Sequence, residues 1–445
     1  EHKGMSMDDF SIEQKIEDLE NQLRELRKSL KKSNPLVSDY IFPQTAMIEG
    51  VKFSSINANI KSKEKLDLTL IEIMEGSSIA GVFTKSETRS SPVRWCEKVL
   101  AMRREASLSG KVGILINSGN ANTFTGKIGE KTVMDSVASV SKYLGCEKNN
   151  VFIASTGVIG EVLPSEKIMA KIPALCKNLS SSDIAGSAQA IMTTDTFPKG
   201  FYSTVTIEGV KVSIAGIAKG SGMIAPDMAT MLGFVFTDIS IDEDLLQKTL
   251  SDSVDKTFNS ISVDSDMSTS DTVILAATGR ASGLHFSSAQ DKGYDEFSYA
   301  LISAMKALSH LIVKDGEGAT KFVKVKVSGA DTYASAKIVS KSIANSPLVK
   351  TAISGEDPNW GRIIMAIGKS GEKINRDRIT VKFGKILVAE NGWVAPSYSE
   401  ELGASYMKND ELEINVDLGV GNQSATCYTC DFSHDYISIN ADYRS

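Results

Sequence analysis

Near the middle of the chain, Lys219-Gly220-Ser221-Gly222-Met223-Ile224-Ala225-Pro226-Asp227-Met228-Ala229-Thr230 leads into the apolar run Met231-Leu232-Gly233-Phe234-Val235-Phe236. The first part is a turn of small residues that stiffens at Pro226, where the ring fixes φ. The second reads as a buried strand, and on residue types alone the pair is a loop feeding a core. A threonine freed at position 230 would nevertheless be special, because its hydroxyl and α-amine stand on adjacent atoms. Such an amine titrates near pH 8, roughly 7.7–8.0, so its neutral form can take the hydroxyl proton without a histidine. Strain stored beside Pro226 would help that hydroxyl attack the preceding carbonyl.

The rest of the chain alternates strands and helices, a layered α/β pattern. Strands are expected over 66–74, 79–84, 113–118 and 151–154, and helices over 127–144, 165–176 and 182–191. A hairpin of 202–207 and 212–218 turns at Glu208-Gly209 and delivers Lys219. Beyond Thr230, strands are expected over 231–237, 272–277, 321–327, 348–353, 412–418 and 425–432. Helices are expected there over 242–258, 293–313, 332–344 and 362–368. At 445 residues the chain exceeds one average domain, and 42% apolar with 23% charged residues is the make-up of a folded globular protein.

Ahead of this body, Ile12, Ile16, Leu19, Leu23, Leu26 and Leu30 step by fours and threes, an a/d seam. Ser11 and Gln14 form a capping-box pattern, and Pro35 ends the helix. One helix cannot bury its own stripe, so a short coiled coil between copies is expected, with docking on the body as the alternative. Residues 1–7 are assigned no function.

A net charge of −6 leaves no electrostatic footprint for nucleic acid. No run approaches eighteen apolar residues, so no membrane span is expected, and the lack of a charged-then-apolar leader points to the cytoplasm. Five cysteines, an odd and sparse set, suit a reducing compartment. Cys427-Tyr428-Thr429-Cys430 has redox or zinc spacing, but in an alternating strand the two thiols fall on opposite faces or nearly so. With no second pair and no paired histidines, no metal site is expected.

Four polar strings carry the remaining chemistry. Asn117-Ser118-Gly119-Asn120-Ala121-Asn122 can cap its own backbone with asparagine side chains, or turn backbone amides towards a ligand. Val151 to Ala154 runs into Ser155-Thr156-Gly157, a hydroxyl and a free N–H side by side. That is an ordinary strand end, and also what an oxyanion hole requires. Thr193-Thr194-Asp195-Thr196-Phe197-Pro198 reads as a capped turn rich in hydroxyls. In Lys314-Asp315-Gly316-Glu317-Gly318, flanking glycines are expected to leave Glu317 exposed at a turn, free to receive a cation. A further string, 356–362, is read as mainly structural.

Lys219-Gly220-Ser221-Gly222-Met223, followed by Pro226-x-Met228-Ala229-Thr230-Met231-Leu232, resembles the self-cleavage site of the ornithine acetyltransferase family (glutamate N-acetyltransferases, bifunctional arginine-biosynthesis enzymes). The resemblance extends over roughly 40–445. It implies an N-terminal-nucleophile-like αββα sandwich, cut between Ala229 and Thr230, with Thr230 as nucleophile. Thr156 and Gly157 match the family's oxyanion pair, and Thr193, Lys219, Thr230, Glu317, Asn440 and Ser445 match substrate contacts. Ser445 stands where relatives end in threonine, keeping the hydroxyl, and Asp227 where asparagine is usual, adding charge beside the scissile bond.

The resemblance also divides the chain into 1–36 (tail and helix), 37–229 (α half) and 230–445 (β half beginning at the nucleophile). The implied activity carries acetyl from N2-acetyl-L-ornithine to L-glutamate through acetyl-Thr230, a ping-pong step of cyclic arginine biosynthesis. Acetyl-CoA is an additional co-substrate the family allows; no cofactor or metal is implied, and no histidine is needed. Partners would be these small molecules, in a heterotetramer of two α and two β chains, larger if the N-terminal helix associates. An N-terminal-nucleophile aminopeptidase or amidohydrolase on a related fold, passing the acyl group to water, is the rival. A scaffold driven by the coiled coil, with an inert body, is the non-enzymatic alternative.

Overall fold

Glu208 and Gly209 both take positive φ, +47° and +80°, the mirror-image turn whose twist matches two paired strands. They join Lys199–Ile207 to Val210–Lys219, the hairpin expected from the pattern. The computed structural model describes residues 34–44, 46–61, 63–106, 109–225 and 231–441, with positions 12, 14–16, 18, 19 and 22. Lys219, the last residue of the hairpin, pairs with Leu232 of the antiparallel strand Leu232–Thr237.

Five strands form this sheet in the order Ser78–Phe83, Thr272–Ala277, Leu232–Thr237, Val210–Lys219, Lys199–Ile207. Two strands from beyond position 230 lie between strands from before it, so the two halves share one sheet. A four-stranded sheet lies beside it, ordered Val51–Ile56, Leu68–Ile73, Val112–Asn117, Val151–Ser155. Every position of Leu232–Thr237 is buried, as a strand covered on both faces requires. Phe234 and Phe236 enter the core shared with the four-stranded sheet, while Val235 faces the other way into a second core. Phe236 meets Phe53 edge-on across the two sheets, centroids 5.4 Å apart at 85°. Such a pair contributes roughly 0.5–1.5 kcal/mol beyond its buried area.

Helices close both outer faces. Leu70, one residue out of phase with the inward Ile71, packs near Val140 and Leu144 of the helix Gly126–Leu144. Across the molecule, Leu246 and Leu250 of Glu243–Lys256, with Leu301 and Leu308 of Tyr294–Lys314, cover Val235, Val273 and Leu275. The layer order is therefore helix, sheet, sheet, helix, the expected αββα sandwich.

A seven-stranded sheet built from Ile261–Ser262 and later strands carries a third core beneath Tyr333–Ala344, Pro347–Ser354 and Trp360–Gly368. One of these helices corrects the sequence reading: 348–353 is not a strand. Ser346 accepts the Val349 N–H and Pro347 occupies the first turn, a start signal that outweighs the apolar run. Within the string 356–362, the Asn359 side chain caps Trp360–Gly368. Cys427 faces the third core and Cys430 the second, and both are free thiols.

Of the N-terminal helix, the described positions are helical, and Ile12, Ile16 and Leu19 are exposed. Leu23, Leu26 and Leu30 lie outside the described residues, as do Ser11 and the scissile-bond residues Asp227, Ala229 and Thr230, and Ser445. Among the described residues, no helix is long and apolar enough to cross a membrane.

Candidate active site

Both strand ends that begin the site rise from sheet registers. Val151–Ser155 pairs in parallel with Val112–Asn117, and the Thr156 N–H continues that ladder to Asn117 O at 3.0 Å. The next residue leaves the sheet. Gly157 has φ +135°, and a Cβ there would stand 2.3 Å from the Gly119 carbonyl carbon. Only glycine fits, which lets the backbone at 157 line a cavity of about 270 Å³.

Thr156, Thr193, Lys219, Glu317 and Asn440 line the same cavity. The Lys219 Nζ donates to Thr193 Oγ1 at 2.8 Å and to Thr156 Oγ1 at 3.2 Å. Lysine is 3% exposed here, and its burial pushes the ammonium pKa below the ordinary value, with Asp195 opposing.

Glu317 is not the exposed turn acid that its glycine neighbours suggest. It is 7% exposed and receives Asn440 Nδ2 at 2.7 Å from the helix His434–Ala441. Gly222 makes room for it, since a Cβ at 222 would fall 2.4 Å from the Glu317 carboxyl carbon. The glycine spacing of the central turn is therefore a packing requirement of an acid almost a hundred residues on.

The asparagine-rich turn mostly serves itself. Asn117 Nδ2 bonds Asn120 O, Asn122 Nδ2 bonds Gly129 O, and Asn120 Nδ2 bonds Glu161 O. Ala121 is its contribution to the cavity wall.

Sequence reasoning passed over an ionic network behind the cavity. Lys199, fully buried, donates to Asp195 Oδ1 at 2.7 Å and to Asp315 Oδ2 at 2.6 Å. Asp195 also accepts Thr193 N at 3.1 Å and Gly220 N at 2.7 Å. One carboxylate thus ties the Thr193 loop to the start of the central turn. Burial works against that carboxylate, but Lys199, Lys219 and the hydrogen bonds win and hold its pKa well below the usual range. Ser268, Thr269 and Ser270 also line the cavity; the unbroken hydroxyl run before the strand Thr272–Ala277 was the available signal.

Past the central turn, Asp264 accepts Met223 N at 2.6 Å, Ile224 N at 2.7 Å and the Tyr436 hydroxyl at 3.1 Å. Met223 itself has φ +57°, left-handed for a side-chain-bearing residue. Met231, just beyond Thr230 in sequence, is 2% exposed.

The model of the ArgJ family matches residues 52–445. The chain belongs to the ArgJ family. It is 52% identical over 404 residues to the arginine biosynthesis bifunctional protein ArgJ of Ruegeria pomeroyi, covering 91% of this chain and 97% of that one. To the protein of the same description from Caulobacter vibrioides it is 46% identical, covering 91% of this chain and 100% of that one. Among solved structures, it resembles a Bacillus halodurans arginine biosynthesis bifunctional protein argJ chain at 42% identity and a TM-score of 0.47. That match covers 48% of this chain and 100% of the other.

Proposed function

We propose that this ArgJ-family chain cuts itself between Ala229 and Thr230, and that Thr230 then carries acetyl from N2-acetyl-L-ornithine to L-glutamate. The observation that supports this reading best is the Lys219–Thr156 contact beside Gly157 on the cavity wall. A hydroxyl that accepts from an ammonium keeps its own proton for another acceptor. Thr156 and the Gly157 N–H are then donors for the oxygen of a tetrahedral acetyl intermediate.

The Thr230 amine takes the hydroxyl proton, the hydroxyl oxygen attacks the acetyl carbonyl, and ornithine leaves with that proton on its nitrogen. Glutamate reverses the sequence and departs as N-acetylglutamate. Two of the three Lys219 protons are engaged by threonines, which leaves one for a substrate carboxylate. Glu317 supplies the opposite charge for a substrate ammonium. Thr193 and Asn440 position these two side chains, and Ser445 completes the substrate contacts. Water has to be kept from the acetyl ester, or the enzyme becomes a deacetylase.

The reaction needs no metal or cofactor, and acetyl-CoA serves as a second acetyl donor. The two products of cleavage, 1–229 and 230–445, stay together because strands of the second are paired on both sides with strands of the first in the five-stranded sheet. Two such pairs form the cytoplasmic heterotetramer, with the N-terminal helix available for larger assembly.

The deciding experiment is an intact mass spectrum of denatured protein, together with ornithine release from acetylornithine with and without glutamate. Two chains meeting at Ala229/Thr230 and release that depends on glutamate are expected. One uncut chain overturns the proposal, and release indifferent to glutamate favours an amidohydrolase.

A further inference from the structure

Asp271 lies between the hydroxyl run and the strand Thr272–Ala277, and is 1% exposed. Together with its neighbour it grips Met231 from both sides. Asp271 Oδ1 accepts Met231 N at 2.9 Å, and Thr272 N donates to Met231 O at 3.2 Å. The sheet register extends this grip, with Thr272 paired to Leu232. The other carboxyl oxygen, Oδ2, is buried and makes no hydrogen bond of ordinary geometry among the described residues, although the Thr84 hydroxyl is near enough to stabilise the carboxylate. A buried polar oxygen without a well-formed hydrogen bond is destabilising, so its retention calls for a use.

Covalent chemistry names the neighbour. Three bonds separate the Met231 nitrogen from the Thr230 nitrogen, and at standard lengths three bonds span at most about 3.7 Å. We infer that Asp271 serves self-cleavage, holding the Met231 amide with one oxygen and delivering from the other the proton that the Thr230 nitrogen takes as its bond to Ala229 breaks. This rests on the cleavage proposed above. The step balances: the Ala229 carbonyl carbon gains a bond to Thr230 Oγ1 and loses its bond to the Thr230 nitrogen. The hydroxyl loses one proton, the nitrogen gains one from Asp271, and the carboxylate left behind takes up the hydroxyl's; water then hydrolyses the resulting ester, its oxygen ending on the Ala229 carboxyl and a proton returning to Thr230 Oγ1, and the two chains part.

The protonated form suits both oxygens, the carbonyl oxygen accepting from Met231 while the O–H is left to donate. Burial favours it, raising the Asp271 pKa well above the ordinary carboxyl value against the Met231 N–H, the Thr84 hydroxyl and the Lys219 charge. Lys219 in turn faces Asp195, Lys199 and Glu317.

Cell-free synthesis of the full chain, with appearance of the fragment starting at Thr230 followed at about pH 6 to about pH 9, tests this. A general acid contributes about 10²–10⁴-fold, so Asp271→Asn, which keeps the acceptor for Met231 but has no proton to give, is expected to cleave at least ~100-fold more slowly. Wild-type cleavage is expected to slow as pH rises and Asp271 ionises; the residual cleavage of Asp271→Asn should lack that decline. Asn cleavage within about threefold of wild type overturns the inference and leaves the Thr230 reading standing, given how much a general acid supplies. A wild-type chain that is never cut at Ala229/Thr230 overturns the parent reading instead. Should Asp271→Asn fail to fold, Asp271→Ser decides, cleavage within about threefold of wild type overturning the inference.

Discussion

The Lys219 ammonium stands 3.2 Å from the Thr156 hydroxyl oxygen, and the contact has only one direction. An ammonium donates and cannot accept, so Thr156 accepts here and its own proton points elsewhere. The charge behind the hydroxyl also polarises it, and a charge-assisted donor is stronger than a neutral one.

Thr156→Val removes this donor while keeping the shape. Loss of one oxyanion donor costs about 10²–10³ in kcat, and a fall of that order is expected in ornithine release with glutamate present. Thr156→Ser should recover most of the rate. Equal kcat for Val and wild type would remove Thr156 from the oxyanion hole.

Charge on Lys219 should appear in the pH profile. Its pKa lies below the ordinary lysine value because of burial, so acetyl transfer should fall as pH rises through that lowered pKa. A rising limb near pH 8 should precede it as the Thr230 amine deprotonates, the model-peptide range being roughly 7.7–8.0. Lys219→Arg stays protonated and should abolish the alkaline fall in whatever activity it retains. An unchanged alkaline limb in that variant would show that Lys219 is not the group titrating.

Gly157→Ala tests the backbone. At φ +135° and with Gly119 2.3 Å from the added carbon, the two turns must separate. Backbone strain of this kind costs about 1–3 kcal/mol, to which the clash adds. A lowered melting temperature and loss of acetyl transfer are expected from thermal unfolding and ornithine assays. An alanine variant with wild-type values of both would contradict the close approach.

Asp195→Asn leaves Lys199 buried with Asp315 as its remaining carboxylate. Breaking a buried ion pair costs about 3–5 kcal/mol, a loss readable by urea unfolding near neutral pH. The sign with pH follows from a folded-state pKa held below the unfolded one. Stabilisation by Asp195 is full above the unfolded value near 3.9 and is lost as pH falls through the lower folded one. The gap between wild type and Asn should therefore narrow in acid; a constant gap would argue against an ionised Asp195.

Much of the sandwich could be read from local pattern. The Glu208-Gly209 hairpin, the long helix Tyr294–Lys314 and the strand Thr272–Ala277 each announce themselves through turn residues or periodicity. Val51–Ile56 does not, since two serines interrupt its apolar alternation, and its partner Leu68–Ile73 supplies the register instead. The apolar run at 348–353 misleads for a related reason, because so short a run fits either element until Ser346 and Pro347 are weighed.

Residue types and spacing were enough to place the central turn, the buried strand behind it and the strings that carry hydroxyls and charges. They could not reveal that Asp195 would bind both Thr193 and Gly220, that Gly222 would yield space to Glu317, or that Asp271 would seize Met231. Turn chemistry and periodicity act over a few neighbouring residues. Apart from the local contact of Asp195 with Thr193, those relationships depend on sheet register and layer packing, which bring together groups tens of residues apart.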